Sequence, residues 1–135
     1  MRLWHKCLTP VLPRAQLVAQ WRELSAIAGN ILTRGMPNHI LVNKVMIYSY
    51  DHFITYAKMI RTEMTSRGYR TIDSVWNKIV SLKPDWKEVK FNLLYSDWMD
   101  KQYLDICYYN LLKKYLCGGI EEQDWKKIIK KYSYY

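Results

Sequence analysis

The chain has 135 residues, half of them apolar and 15% aromatic, which fits one domain, residues 1–135, with a substantial core. It carries 21 basic and 12 acidic side chains, and a net charge of +9 points to a polyanionic partner, nucleic acid first. No apolar run approaches the roughly 18 residues that a membrane span needs, and Arg2, Trp4, His5 and Lys6 stand where a signal peptide would be apolar, so a cytoplasmic protein with no membrane partner is expected.

Pro10 and Pro13 disfavour helix before them, so residues 1–13 are predicted to be an extended arm. Pro13 suits the first turn of a helix that runs from Arg14 to Thr33 and stops near Gly35. Its core stripe is Leu17, Trp21, Leu24, Ala28 and Leu32, flanked by Val18 and Ile31. At about 100° per residue, Glu23 projects away from that stripe and shares a small polar face with Gln16, Ala19, Ala26 and Asn30. A short helical segment is expected over Asn38–Ile47. Asp51 is expected to cap the next helix, which buries Phe53, Ala57, Ile60 and Met64 and ends at Arg67-Gly68. A further helix spans Thr71–Leu82, with Ile72, Val75, Trp76 and Ile79 inward. Residues 84–96 are read as a loop. Asp97 is expected to cap a helix carrying Tyr103, Leu104, Cys107, Leu111 and Tyr115, which ends at Gly118-Gly119. A last helix from Glu121 holds Trp125, Ile128 and Ile129, ahead of the aromatic tail Tyr132-Ser133-Tyr134-Tyr135. No run alternates with period two, so the fold is read as all-α, a compact single-domain helical bundle with an extended N-terminal arm.

The charge is unevenly spread. Residues 1–50 contain Arg2, Lys6, Arg14, Arg22, Arg34 and Lys44 against one acid, Glu23. A lone carboxylate in a basic segment is either an ion-pair partner or the acid of a site. Many familiar constellations are missing: there is no phosphate-binding glycine loop and no G-x-S-x-G elbow. Cys7, Cys107 and Cys117 are odd in number and widely spaced, which fits reduced thiols. His5, His39 and His52 have no metal-ligand spacing, so neither a metal nor a small-molecule cofactor is expected. One reactive group remains, the N-terminal α-amine. Its ordinary pKa is about 7.7–8.0, so a good fraction is neutral and nucleophilic near neutrality. Such an amine can form a Schiff base at a sugar C1′, given a carboxylate to move protons.

The run Gln20-Trp21-Arg22-Glu23-Leu24 resembles the helix of the pyrimidine-dimer DNA glycosylase family, the phage endonuclease V type, which carries an aromatic-Arg-Glu-Leu run there. Met1-Arg2-Leu3-Trp4-His5, Leu12-Pro13-Arg14, Asn38-His39 with Val42-Asn43, and Met64 to Tyr69 are similar to the bacterial branch of that family. The resemblance covers residues 1–70 and is loose beyond them. It implies a compact helical fold and a bifunctional activity: the N-terminal amine displaces the base at C1′, and β-elimination then nicks the strand. It implies that Met1, through its α-amine, and Glu23 are catalytic, and that Arg2 and Arg22 contact DNA. Three departures are visible. The phage-type enzyme exposes a threonine as its first residue, where Arg2 here leaves the amine on Met1. Ala26 stands in place of a second helix arginine, and Gln16 in place of a histidine.

The expected function is therefore a DNA glycosylase with abasic-site lyase activity, acting on double-stranded DNA that carries a lesion, UV pyrimidine dimers by resemblance. Arg2, Arg14 and Arg22, with Lys6 and Lys44, are candidate phosphate contacts. His5 and His39 are candidate DNA contacts, with a structural hydrogen bond as the competing role of each. Two other readings are a non-catalytic basic DNA-binding module of the same fold and a protein-interaction domain using the aromatic C-terminus. The sequence leaves the oligomeric state open.

Overall fold

The computed structural model describes residues 2–35 and 43–135. Among them lie α1 (Arg14–Arg34), α2 (Tyr50–Ser66), α3 (Asp73–Val80), α4 (Lys101–Leu116) and α5 (Glu122–Tyr132), with 3-10 helices at Lys6–Val11 and Asn43–Met46. No strand occurs among the described residues, and the chain is all-α as the periodicity predicts. Met1, Asn38, His39 and Val42 lie outside the described residues, as does the first half of the Asn38–Ile47 segment. No helix among the described residues is long and apolar enough to cross a membrane.

α1 packs on α2 and α3, α5 packs on α4, and the N-terminal 3-10 helix is held against both α2 and α5. Residues 2–13 are thus a core element, which corrects the expected arm. Residues 2–5 are non-helical, but Lys6–Val11 coil into a 3-10 helix, and Leu3, Trp4, Leu8 and Leu12 are all buried. Pro10 lacks the N–H an α-helix would need, so a short 3-10 segment loses less there. The carbonyls left over at its end are taken by Arg67, whose guanidinium donates to Leu12 O at 2.7 Å, Pro10 O at 3.1 Å and Thr9 O at 3.3 Å. Arg67 is itself held by Glu63 at 2.9 Å.

Gly68 follows in the left-handed region at φ 81°. This lets Tyr69 N–H reach Met64 O and Gly68 N–H reach Thr65 O, a Schellman ending. Tyr69 then lies under the Arg14 guanidinium, 5.0 Å from the ring centroid. The Arg67-Gly68-Tyr69 motif is therefore a clasp between α2 and the start of the chain.

Several sequence expectations need adjustment. On α1 the buried set is Leu17, Gln20, Trp21, Leu24, Ile27, Ala28 and Ile31, while Leu32 is exposed. The stripe rotates toward Ile31 near the C-terminal end, and it includes a polar residue that an apolar count skips. Ser49, not Asp51, is the N-cap of α2. Asp51 sits in the first turn and binds Lys83 Nζ and the Lys87 N–H, both at 2.8 Å. Asp100, not Asp97, caps α4, accepting the Tyr103 N–H at 2.9 Å. Ile72 precedes the shorter α3 and is exposed, as is Ile129 on α5.

The stretch read as a loop contributes Leu94 and Tyr95 to the core, with Trp98 and Met99 just beyond it. Tyr95 holds a positive φ of 48° and packs its ring against Tyr48, His52, Tyr56 and Trp98. Tyr132 stacks on Tyr108 at 3.8 Å and donates to Asp105, so the tail begins as a cover for α4. Tyr134 and Tyr135 are exposed.

Candidate active site

Gln16, Ala19 and Glu23 recur at spacings of three and four on α1 and so share a face. Together with Ala15 they form one wall of a cleft of about 420 Å³. Asn110, Lys113 and Lys114 of α4 form the facing wall, and Arg2 and Trp4 complete it. Ala19 matters by being small, since its methyl leaves the space beside Glu23 open. Among the described residues, no cation closes to an ion pair with the Glu23 carboxylate. The carboxylate is thus half-buried in a cleft lined by three cations, Arg2, Lys113 and Lys114.

The start of the chain is tied to this acid. Arg2 donates its backbone N–H toward Glu23 Oε2 at 3.4 Å, and its guanidinium lies 5.3 Å from the Trp4 ring centroid. Gln20 binds the backbone on both sides of Leu3: its Oε1 accepts the Trp4 N–H at 2.7 Å, and its Nε2 donates to Arg2 O at 2.9 Å. Tyr56 from α2 donates to Trp4 O at 2.5 Å, with Gln20 Oε1 a weaker second acceptor of the same proton at 3.1 Å. Tyr103 from α4 donates to Leu3 O. Three helices therefore clamp residues 2–4 by hydrogen bonds. Burial raises the hydroxyl pKa of both Tyr56 and Tyr103, which keeps them neutral donors.

The other candidates fall in different places. Arg22 is exposed on α1, about 100° around the helix from Glu23. Arg14 is exposed on the opposite side of α1 and lines a separate cleft of about 380 Å³ with Arg67, Tyr69 and Lys127. Lys44 is exposed and lies 5.8 Å from the Trp98 ring centroid. Met1 and His39 lie outside the described residues.

Two of the candidates lie inside the protein. His5 is 4% exposed; its Nε2 donates to Met99 O at 2.7 Å while Nδ1 accepts the Cys7 N–H at 3.1 Å. Both ring nitrogens are used inside the protein, and burial lowers the ring's pKa, so His5 is a neutral structural histidine rather than a DNA contact. Lys6 is also buried. Its ammonium donates to Phe91 O at 2.6 Å and Leu94 O at 2.7 Å, which removes it from the phosphate-binding set. A third cavity, larger at about 540 Å³ and lined by Cys7, Met59 and Phe91 among others, contains none of the remaining candidates.

Reading the sequence alone misses Gln20, Tyr56, Asn110, Lys113 and Lys114. The two lysines carry a visible signal, a basic last turn before Gly118-Gly119. Complementing the helix dipole accounts for that signal fully, so it does not direct attention to Glu23. Gln20 gives no signal, because one glutamine on an amphipathic helix looks like surface.

A family model described as pyrimidine dimer DNA glycosylase matches residues 1–77, more than half of the chain. No curated protein and no solved structure matches it. The matched span contains Arg2, Gln20, Arg22, Glu23 and Tyr56, whereas the α4 wall of the cleft lies beyond it. With more than half its length in that match and the lone acid of the basic half held beside the start of the chain, this protein belongs to the pyrimidine dimer DNA glycosylase family.

Proposed function

We propose that this chain is a DNA glycosylase with an associated abasic-site lyase activity, in which the α-amine of Met1 is the nucleophile and Glu23 the proton-handling group. One observation supports the reading: the Arg2 backbone N–H, on the peptide bond that joins Arg2 to Met1, lies 3.4 Å from the Glu23 carboxylate.

In the first step the amine nitrogen bonds to C1′ of the damaged nucleotide as the C1′–N glycosidic bond breaks. The bonding pair leaves with the base, which takes up a proton. The nitrogen then loses one proton and the C1′–O4′ bond opens, with O4′ protonated, leaving a protonated imine. Loss of a proton from C2′ drives out the 3′ phosphate by cleavage of C3′–O, and water releases the enzyme by hydrolysing the imine. A carboxylate beside C1′ can accept the amine and C2′ protons and stabilise the cationic sugar. Arg2, Lys113 and Lys114 line the same cleft and serve the phosphates, with Arg22 on the flank and Arg14 on a more distant stretch of duplex. A damaged pair opens at lower cost than an intact one, which brings the sugar within reach.

The alternative, a non-catalytic DNA-binding module, gives no task to a carboxylate that sits in a basic cleft without an ion-pair partner among the described residues. Borohydride reduction in the presence of abasic-site duplex separates the two. A covalent adduct whose peptide maps to the N-terminus supports the proposal, and salt-sensitive binding without any adduct overturns it.

A further inference from the structure

Gln20 is fully buried, the one amide among the buried residues of α1. A buried amide is costly unless its hydrogen-bonding positions are filled, and here each of the four has a polar neighbour, two of them in short bonds to backbone. Oε1 accepts from Trp4 N–H at 2.7 Å and Tyr56 O–H at 3.1 Å, while Nε2 donates to Arg2 O at 2.9 Å and lies 3.4 Å from Glu23 Oε2. The orientation is forced by the partners, since an N–H can only meet Oε1 and a carbonyl can only meet Nε2. The amide thus pairs with the backbone on either side of Leu3 much as a neighbouring strand would.

Packing alone does not ask for this arrangement. A leucine of similar size would fill the space, but it would leave the Trp4 N–H and the Arg2 carbonyl without their partner, and residues 2–4 would be held to the helices only through Leu3 O and Trp4 O. Register is the quantity at stake. A one-residue slip moves the chain by about 3.3 Å, and a nucleophile must sit within about 3–3.5 Å of its target carbon.

We infer that Gln20 is the positioning residue of the active site: its amide fixes the register of residues 2–4 against α1, and so sets the distance between the chain's first amine and Glu23. This rests on the amine reading above. Gln20 touches neither sugar nor phosphate and acts through the backbone it holds. The titratable or charged groups around it are Glu23 on its own helix, Tyr56 from α2 and Arg2 from the clamped segment.

The test uses the full chain and two variants. Gln20→Leu keeps the volume and removes every bond. Gln20→Glu keeps the acceptor for Trp4 and Tyr56 but sets a second acceptor against the Arg2 carbonyl and Glu23, except where acid protonates it. Three quantities are read from about pH 5.5 to about pH 8, which spans an elevated carboxyl pKa: thermal unfolding, binding to duplex with a tetrahydrofuran abasic analogue that cannot react, and the rate of borohydride-trapped adduct on a true abasic site. Trapping is expected to fall about 100-fold in both variants, as for a misplacement of about 1 Å, with analogue binding within about twofold. The Gln20→Glu deficit should shrink toward acid pH.

Trapping that falls no further than binding overturns the inference, as does a Gln20→Glu deficit that is equal at all pH values. If Gln20→Leu does not fold, the Gln20→Glu pH ratio decides alone. If the wild-type chain forms no adduct, the amine reading fails and the positioning role falls with it. If the wild type and both variants trap equally well, only the positioning role falls.

Discussion

Glu23 faces the backbone N–H of Arg2 at 3.4 Å, across 21 positions of sequence. The contact is long for a hydrogen bond, and an optimised ion pair would be shorter and would involve the guanidinium. Instead, the Arg2 guanidinium lies over Trp4, and among the described residues no cation pairs with the carboxylate, which keeps only the long contacts to Arg2 N–H and Gln20 Nε2. Such a carboxylate suits proton transfer better than structural pairing.

Glu23→Gln should therefore leave the fold intact and remove the chemistry. The amide keeps the shape and can still accept from Arg2, but it cannot take a proton. Lesion-strand cleavage is expected to fall by about 10²–10⁴-fold, the usual weight of a positioned acid–base group, with thermal unfolding unchanged within about a degree. Cleavage at the wild-type rate would remove Glu23 from the mechanism.

Ala19 is the open position of the cleft. Ala19→Leu puts a larger side chain between Gln16 and Glu23 without touching the buried face of α1, since Ala19 is only partly buried. Cleavage and analogue binding should both fall by at least about tenfold, or about 1.4 kcal/mol, while stability stays put or rises slightly from leucine's helix propensity. Unchanged cleavage would show that substrate does not enter this cleft.

Lys113 and Lys114 reach the cleft from a helix beyond the family match. If they bind phosphate, the double change to alanine should lower the slope of log K against log salt by roughly 0.9 for each phosphate no longer neutralised. Measured over a salt series, an unaltered slope would assign them to dipole compensation alone.

The elements of this fold were largely legible in the sequence, because helices announce themselves by spacing and by terminal glycines. Gly35, Gly68 and Gly118 all hold positive φ where the chain leaves α1, α2 and α4. Glu23 was legible for a different reason, its isolation among basic residues. The clamp on residues 2–4 was not. It depends on Gln20, Tyr56 and Tyr103, which come from three helices and meet only through the tertiary fold. His5 and Lys6 misled because charge and residue type do not report burial. Both donate to backbone carbonyls of residues 91–99, a stretch with no periodic signal.

Two buried tyrosines should respond oppositely to loss of the hydroxyl. Tyr56 donates to Trp4 O and Gln20 Oε1, so Tyr56→Phe leaves buried acceptors short and should cost about 1–3 kcal/mol. The Tyr95 hydroxyl is buried without a partner among the described residues, so Tyr95→Phe should be neutral or stabilising by about 1 kcal/mol. Denaturant titration of both variants checks the pair. Equal destabilisation would mean that Tyr95 has a partner of its own.

Stability should also depend on pH in a window set by two histidines. Burial lowers the folded-state pKa of both His5 and His52 below the ordinary 6.5. His5 donates to Met99 O, and His52 Nδ1 accepts the Tyr95 N–H at 3.1 Å, a bond that only the ring with that nitrogen unprotonated can make. The unfolded chain binds protons first as pH drops through about 6.5, so the folded state loses stability from there downward. The carboxylates of Asp51 and Asp105 are held below their ordinary values by Lys83 and Lys101, so their contribution is lost only at lower pH, in the carboxylate range. Thermal unfolding at about pH 7.5 and about pH 5 brackets the histidine window without entering the carboxylate one. The wild-type midpoint should fall between these two values. A variant carrying His5→Gln and His52→Gln should start lower, because a core hydrogen bond is altered at each site, but show a smaller fall. An equal fall in both proteins would place the acid sensitivity in groups other than these two rings.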